Sequence, residues 1–363
     1  MSDDALPKLI RRLIAGAGPI PLSTFMGLAL GHPEHGYYQR REPFGGAGDF
    51  VTAPEVSQMF GELIGAWCIE VWRRLGAPAP VALCELGPGR GTLMADLLRA
   101  ARLDPGFLDA RDLLLIETSQ RLRAQQAERL AAWRPRWIEG PEALPACPAL
   151  VLANEVFDAL PIRQFVKSPE GWRERLVDLG PDAAGFRFVL GPASAAAAAL
   201  VPDAAKDLPE GAVVEVSPEA EHGLDLVARH LARHGGAALI LDYGAELAPG
   251  TPSLQAIAGG ARADPLAAPG SADLTAHVDF ARLAAVARAA GLAVHGPKPQ
   301  GAFLEALGLG QRTAALARGQ PPEVARRLEG ERRRLSHPEE MGRLFKALAL
   351  APPALGAPPG FEL

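Results

Sequence analysis

At 363 residues with 48% hydrophobic side chains, the chain can bury a full core and reads as globular, either one large domain with insertions or two modest ones. A net charge of -5 and a pI near 6.0 give no global attraction to nucleic acid or anionic lipid, and the densest basic run, Arg332 to Arg334, is interleaved with Glu329 and Glu331 as on a solvated helix face. Three scattered cysteines supply neither a disulfide framework nor a zinc knuckle, no apolar run approaches the roughly eighteen residues of a membrane span, and the acidic start Ser2-Asp3-Asp4 is no signal peptide. The expectation is a cytoplasmic protein with no membrane insertion and no nucleic-acid partner.

Along the chain, Leu9, Ile10, Leu13 and Ile14 at helical spacing, then Phe25, Met26 and Leu30, predict two amphipathic helices before residue 31. Residues 32 to 54 hold Gly, Pro and aromatics without a sustained period, an irregular loop long enough to be functional. A helix over about 55–75 follows, with Phe60, Ile64, Trp67 and Val71 on one face. Short apolar strands at 81–84, 113–116, 137–138 and 149–153 then alternate with helices at 92–101 and 119–133, the mark of a parallel α/β sheet covered on both faces. After Pro161 the alternation gives way to short strands at 164–167, 172–178 and 186–190 joined by turns, an inserted antiparallel piece. The core is expected to resume with a strand at 213–216, a helix at 218–234 and a strongly apolar strand at 237–241. A Gly/Pro loop at 258–270, a helix at 278–290, a strand around 292–295 and polar helices to about 348 complete the pattern. The domain reading is therefore an N-terminal helical segment with an active-site loop (1–78), a core (79–161 and 212–363) and an inserted β subdomain (162–211).

The run CELGPGRGTL at 84–93 sets Gly87, Gly89 and Gly91 between a buried strand and a helix, which permits a sharp turn and backbone contact with a ligand. The spacing is Gly-x-Gly-x-Gly and not the Gly-x-Gly-x-x-Gly of dinucleotide sites; Pro88 removes an amide, and Glu85 would repel a pyrophosphate. An acid there suits a ligand with a cation at its centre, such as S-adenosylmethionine with its sulfonium and α-ammonium. Glu117, closing the next strand, stands where such folds place the carboxylate that grips ribose hydroxyls.

The strand at 149–153 ends in Asn154, Glu155 and, three residues on, Asp158, at the edge where open parallel sheets bind ligands. If the methyl acceptor is a guanidinium, Glu155 and Asp158 can hold it through paired hydrogen bonds and direct one nitrogen at the methyl. Asp242 and Tyr243, at the end of the most apolar strand, are further candidate lining groups, and His277 a candidate acid or base. His32 and His35 lack the cysteine or acid partners of a metal site, so no metal is expected.

With these residues in view, the chain resembles the MidA-like family of S-adenosylmethionine-dependent methyltransferases, whose mitochondrial members are complex I assembly factors that methylate arginine. The resemblance rests on GYY at 36–38, GDFVTAPE at 48–55, QMFGELIGAW at 58–67, ELGPGRGTLM at 85–94, NEVFDALP at 154–161, LDYG at 241–244 and DLTAHVDF at 273–280. It implies a class I methyltransferase (Rossmann-like) α/β fold, mostly parallel, with the turn from Glu85 to Gly91 and Glu117 on the cofactor. It also implies that the segment carrying Asp49, Thr52 and Pro54 folds over the site, that Asn154 and Glu155 face the transferred methyl, and that the substrate is a protein, such as a complex I subunit. Two rival readings are an NAD-dependent oxidoreductase and a noncatalytic assembly chaperone that keeps the fold.

Overall fold

A computed structural model describes residues 5–40, 51–181, 185–244 and 248–362. The chain divides into two compact units: Met1–Phe50, Asp158–Ala220 and Glu246–His277 form the first, and Val51–Phe157, Glu221–Ala245 and Val278–Leu363 the second. This division differs from the sequence-based one. Residues 51–78, grouped there with the N-terminal helices, lie in the second unit, and residues 246–277, grouped there with the core, lie in the first.

The second unit is built on a seven-stranded sheet: β1 (Val81–Leu86), β2 (Arg111–Ile116), β3 (Arg136–Trp137), β4 (Ala149–Asn154), β5 (Gly236–Tyr243), β6 (Ala293–Pro299) and β7 (Phe345–Ala351). Their spatial order is β6-β7-β5-β4-β1-β2-β3. The run from β5 to β3 is parallel, whereas β7 pairs antiparallel with both β5 and β6. The chain leaves β1 toward β2 and β3, then returns to place β4 on the other flank of β1. That reversal is a topological switch point, and the crevice beyond the carboxyl ends of β1 and β4 is where open α/β sheets bind ligands. Strands β1, β4 and β5 are buried along nearly their whole length, as a sheet covered on both faces requires.

The longer helices that accompany these strands include α1 (Gln58–Arg74), α2 (Thr92–Ala100), α3 (Gln120–Arg129), α4 (Pro218–His234) and α5 (Phe280–Ala289). Side-chain caps begin four of them: Ser57 accepts from the amide of Met59, Ser119 from Leu122, Ser217 from Ala220 and Asp279 from Arg282. Phe60, Ile64, Trp67 and Val71 of α1 are buried, the face the periodicity predicts. The tail differs from expectation. The polar helices expected to run to about 348 end at Leu344, and Phe345–Ala351 is the strand β7, buried from Lys346 onward and fixed by its ladders to β5 and β6.

In the first unit an antiparallel sheet runs Ile20–Pro21, Gly171–Leu179, Arg163–Ser168 and Val213–Val216, with Phe186–Ala193 also pairing with Gly171–Leu179. Val213–Val216, expected to resume the parallel core, instead pairs antiparallel with Arg163–Ser168 and closes this sheet. The stretch expected as a Gly/Pro loop contains a hairpin, Gln255–Ala258 with Ala261–Ala263, turned through Gly259 and Gly260 and paired to Asp273–Thr275. Ile10, Phe25, Met26, Tyr37 and Leu274 share one core.

Glu62 on α1, 6% exposed, accepts 2.7 Å bonds from Arg99 Nη1 and Arg312 Nε, joining three helices. Burial pushes its carboxyl upward, but the two guanidiniums prevail and hold it below the usual range. A depressed folded-state value means stability that is present above the ordinary glutamate range and lost as pH falls through the folded value. Glu62→Gln is expected to lower unfolding free energy by about 2 kcal/mol near neutral pH, the half-exposed arginines limiting the loss, with the difference shrinking in acid. Urea denaturation at both pH values measures it; a deficit that grows in acid contradicts the assignment.

Candidate active site

The turn after β1 is shaped by its neighbours before any ligand is considered. Gly87, Gly89 and Gly91 have φ of +57°, +53° and +74°, where side chains are disfavoured. At Gly87 a Cβ would also meet Val156 Cγ2 at 2.8 Å, so the β1 and β4 turns pack in direct contact across the switch point. Gly91 opens α2 in the left-handed region and lies over Gln126 of α3 and Leu130 just past its end.

Two acids flank this turn. Glu85 is 2% exposed, and its Oε2 meets no hydrogen-bond donor among the described residues. Burial and then the nearby Glu117 raise its carboxyl to about 8. Glu117, 8% exposed, is raised chiefly by burial, against the bonds it accepts from the Ser119 amide (2.8 Å) and Gln126 Nε2 (3.2 Å). A buried carboxylate without a donor, beside a second carboxylate, is a place for a cation or a strong donor. The sulfonium and ammonium of S-adenosylmethionine fit Glu85, and the ribose hydroxyls fit Glu117.

The β4 end is held from two sides. Glu155, at φ +54°, carries its backbone in a region unusual for a non-glycine residue. Its amide donates to Leu241 O at 2.9 Å, while its Oε1 accepts from the Ala53 amide (3.0 Å) and Asn154 Nδ2 (3.1 Å). Asp242, expected as a lining group, is fully buried. Its Oδ2 accepts from the amides of Val156 (3.0 Å) and Phe157 (2.8 Å), and its Oδ1 from Tyr243 (2.8 Å). With both oxygens engaged by backbone, Asp242 positions the turn after Glu155 and does not line the site. Tyr243 sits edge-on to Phe345, centroids 5.5 Å apart.

Thr52 precedes the one-turn helix Ala53–Val56 and accepts from the amides of Glu55 and Val56, with Pro54 buried. Glu55, missed in the sequence reading as a separate contributor, accepts 2.5 Å from the Thr92 hydroxyl at the start of α2. This short segment thus links Glu155 to the helix following the glycine turn. Asp49 lies outside the described residues. Asp158 belongs to the first unit, where its carbonyl accepts from Ala276 at 2.9 Å. It is close enough to Tyr38 to help Asp273, which accepts from the Tyr38 hydroxyl at 3.0 Å, keep that buried phenol well above its ordinary range, burial being the larger cause. The amide of His277 donates to Ser253 Oγ at 2.8 Å, also in the first unit.

Comparison with known proteins agrees with this geometry. Residues 63–298 match a family model described as "Putative S-adenosyl-L-methionine-dependent methyltransferase", and the chain belongs to this methyltransferase family. It is 36% identical over 386 residues to the Drosophila melanogaster protein arginine methyltransferase NDUFAF7 homolog, mitochondrial, covering 97% of this chain and 86% of that one. It is 35% identical to the Homo sapiens protein arginine methyltransferase NDUFAF7, mitochondrial, with 97% and 85% covered. A crystal structure of a COG1565 superfamily member from Burkholderia thailandensis bound to S-adenosyl-homocysteine superposes with a TM-score of 0.85 at 31% identity, covering 99% of this chain and 94% of the other. The protein is thus an S-adenosylmethionine-dependent methyltransferase of class I fold. The expected cytoplasmic location is corrected: the curated relatives named above are mitochondrial proteins. Among the described residues no helix is long and apolar enough to cross a membrane.

If the cationic donor sits at Glu85, it binds the ionised form, and binding displaces the proton held there near neutral pH. Affinity for S-adenosylmethionine is expected to rise with pH up to about 8, by as much as about tenfold per unit, and Glu85→Gln should remove this component. Titration calorimetry in buffers of different ionisation enthalpy reads the proton directly; equal proton release by both proteins rules the assignment out.

Proposed function

We propose that the protein methylates an arginine side chain of a partner protein, and that this partner is a subunit of the respiratory NADH dehydrogenase. The relatives named protein arginine methyltransferases, matched over more than nine-tenths of this chain, support the acceptor type. The complex I assignment is supported by the family resemblance of the sequence blocks, from GYY at 36–38 to DLTAHVDF at 273–280.

The observation that carries this reading is Glu155, an acid directly after β4 at the switch point, oriented through Oε1 by Ala53 and Asn154. Bound in the crevice, S-adenosylmethionine supplies an electrophilic methyl on a positively charged sulfur. Glu85 balances that charge, Glu117 takes the ribose hydroxyls, and the backbone at Gly87, Pro88, Gly89 and Gly91 bounds the ligand closely. Thr52 and Pro54 cover it. The Glu155 carboxylate would accept N–H bonds from the guanidinium, turn one nitrogen toward the methyl and receive the proton which that nitrogen releases as its bond to carbon forms and the methyl–sulfur bond breaks, the electron pair staying on sulfur in the departing S-adenosyl-homocysteine. Asn154 holds Glu155 in register, and Asp242 holds the turn. Tyr243, at the end of β5, contributes to the acceptor side. Positioning and electrostatics account for most of the rate in such a transfer, since the protein need form no covalent bond.

Glu155→Gln should therefore lower methyl transfer about 10²- to 10⁴-fold while changing the S-adenosylmethionine dissociation constant by less than about threefold. Incubation with a labelled methyl donor and a respiratory-membrane extract, followed by mass spectrometry, locates the label. Label on residues other than arginine refutes the acceptor assignment, and equal labelling by wild type and variant refutes the role of Glu155.

A further inference from the structure

Gln126, on α3, is fully buried and was not singled out by any sequence signal. Its Nε2 donates to Gly89 O at 2.7 Å and to Glu117 Oε2 at 3.2 Å, and its Oε1 accepts from Trp137 Nε1 on β3 at 2.8 Å. Both groups facing Nε2 are acceptors only, and the indole N–H can only donate, so the three partners fix which way the amide points. The remaining geometry reinforces the placement. Gln126 Cγ lies beneath Gly91, 3.6 Å from where its Cβ would be, and Arg123 Nε donates to the Glu117 carbonyl at 2.6 Å.

We propose that Gln126 is a positioning residue for the cofactor: one indole-oriented amide ties the glycine turn to the acid that takes the ribose, fixing both halves of the ligand cradle relative to each other. This rests on the reading of Glu117 and the turn as the cofactor site. Only an amide meets the requirement, because the position must offer two donors to two acceptors and an acceptor to a donor. A glutamate at 126 would present acceptors to Gly89 O and Glu117 and repel both, except when protonated. A methionine would keep the volume and lose every bond.

Three variants test this: Gln126→Met, Gln126→Glu and Trp137→Phe, the last removing only the indole donor. Gln126→Met is expected to weaken S-adenosylmethionine binding about 10- to 100-fold, as losing bonds to a carbonyl and a carboxylate implies, while kcat at saturating cofactor falls by less than about threefold. Gln126→Glu should bind far more weakly than wild type at pH 8 and recover toward it at pH 6, and Trp137→Phe should fall between wild type and Gln126→Met. In ligand-free protein, hydrogen exchange at the amides of residues 89–92 should speed up in Gln126→Met. Dissociation constants within about twofold of wild type across this pH range, or unchanged exchange at the turn, would falsify the proposal, as would a loss confined to thermal stability. Should wild type itself bind no S-adenosylmethionine, the cofactor reading falls, and the exchange comparison still decides whether Gln126 tethers the turn. If Gln126→Glu does not fold, Gln126→Met and Trp137→Phe carry the same comparison.

Discussion

Taking a carboxylate out of water next to a second carboxylate is unfavourable unless a positive charge arrives to balance them, and the site at Glu85 and Glu117 is organised around that imbalance. Glu85 stands opposite Leu115 in the parallel ladder of β1 with β2, so Glu117, two residues further along, emerges on the same face of the sheet. Glu85 is thus placed within β1, and Glu117 directly follows the last residue of β2, so the ladder brings both acids to the same end of the sheet. Glu117 is partly compensated by Ser119 and Gln126, whereas Glu85 is left with a raised carboxyl and an oxygen without a donor. Glu85 stands two residues before Gly87, so the unbalanced charge falls at the entry to the glycine turn.

The same logic explains why the β4 end is so heavily constrained. A non-glycine residue at φ +54° is disfavoured by about 1–2 kcal/mol and persists only where its surroundings over-determine it. Here three backbone amides converge on the buried Asp242, Leu241 holds the Glu155 amide, and Ala53 and Asn154 hold its carboxylate. The strain is local and the supports come from β5 and from the short helix at Ala53–Val56. A carboxylate held this way loses little further freedom when it engages a substrate, which is the physical content of preorganisation.

Sequence reasoning recovered what depends on local pattern and lost what depends on long-range pairing. The βα alternation, the glycine turn and both strand-end acids were legible because period, apolar runs and turn residues are encoded within a dozen positions. Val213–Val216 and the start of Phe345–Ala351, which the polar helices were expected to reach, were misplaced because a short, mostly apolar run does not record which neighbouring strands will claim it. Asp242 was picked as a lining group from its position at a strand end, where it equally suits a backbone clamp; only the three amides distinguish the cases. Gln126 left no signal at all, since its significance lies in contacts to residues 9, 11 and 37 positions away.

These placements also bear on the choice between an enzyme and a scaffold that merely retains the fold. For a scaffold, Glu85 is a liability: a leucine or glutamine in its place would remove a buried ionisable group from beside Glu117 without disturbing the β1 ladder. A cofactor-binding scaffold would justify Glu85 and Glu117, but not Glu155, whose strained backbone and doubly held carboxylate contribute nothing to gripping adenosine or methionine. The Glu155 carboxylate also holds the amide of Ala53, so its structural role and the proposed guanidinium contact draw on the same group. In the proposed reading, Glu85 serves the methyl donor and Glu155 the cationic acceptor, an arrangement suited to transfer between the two.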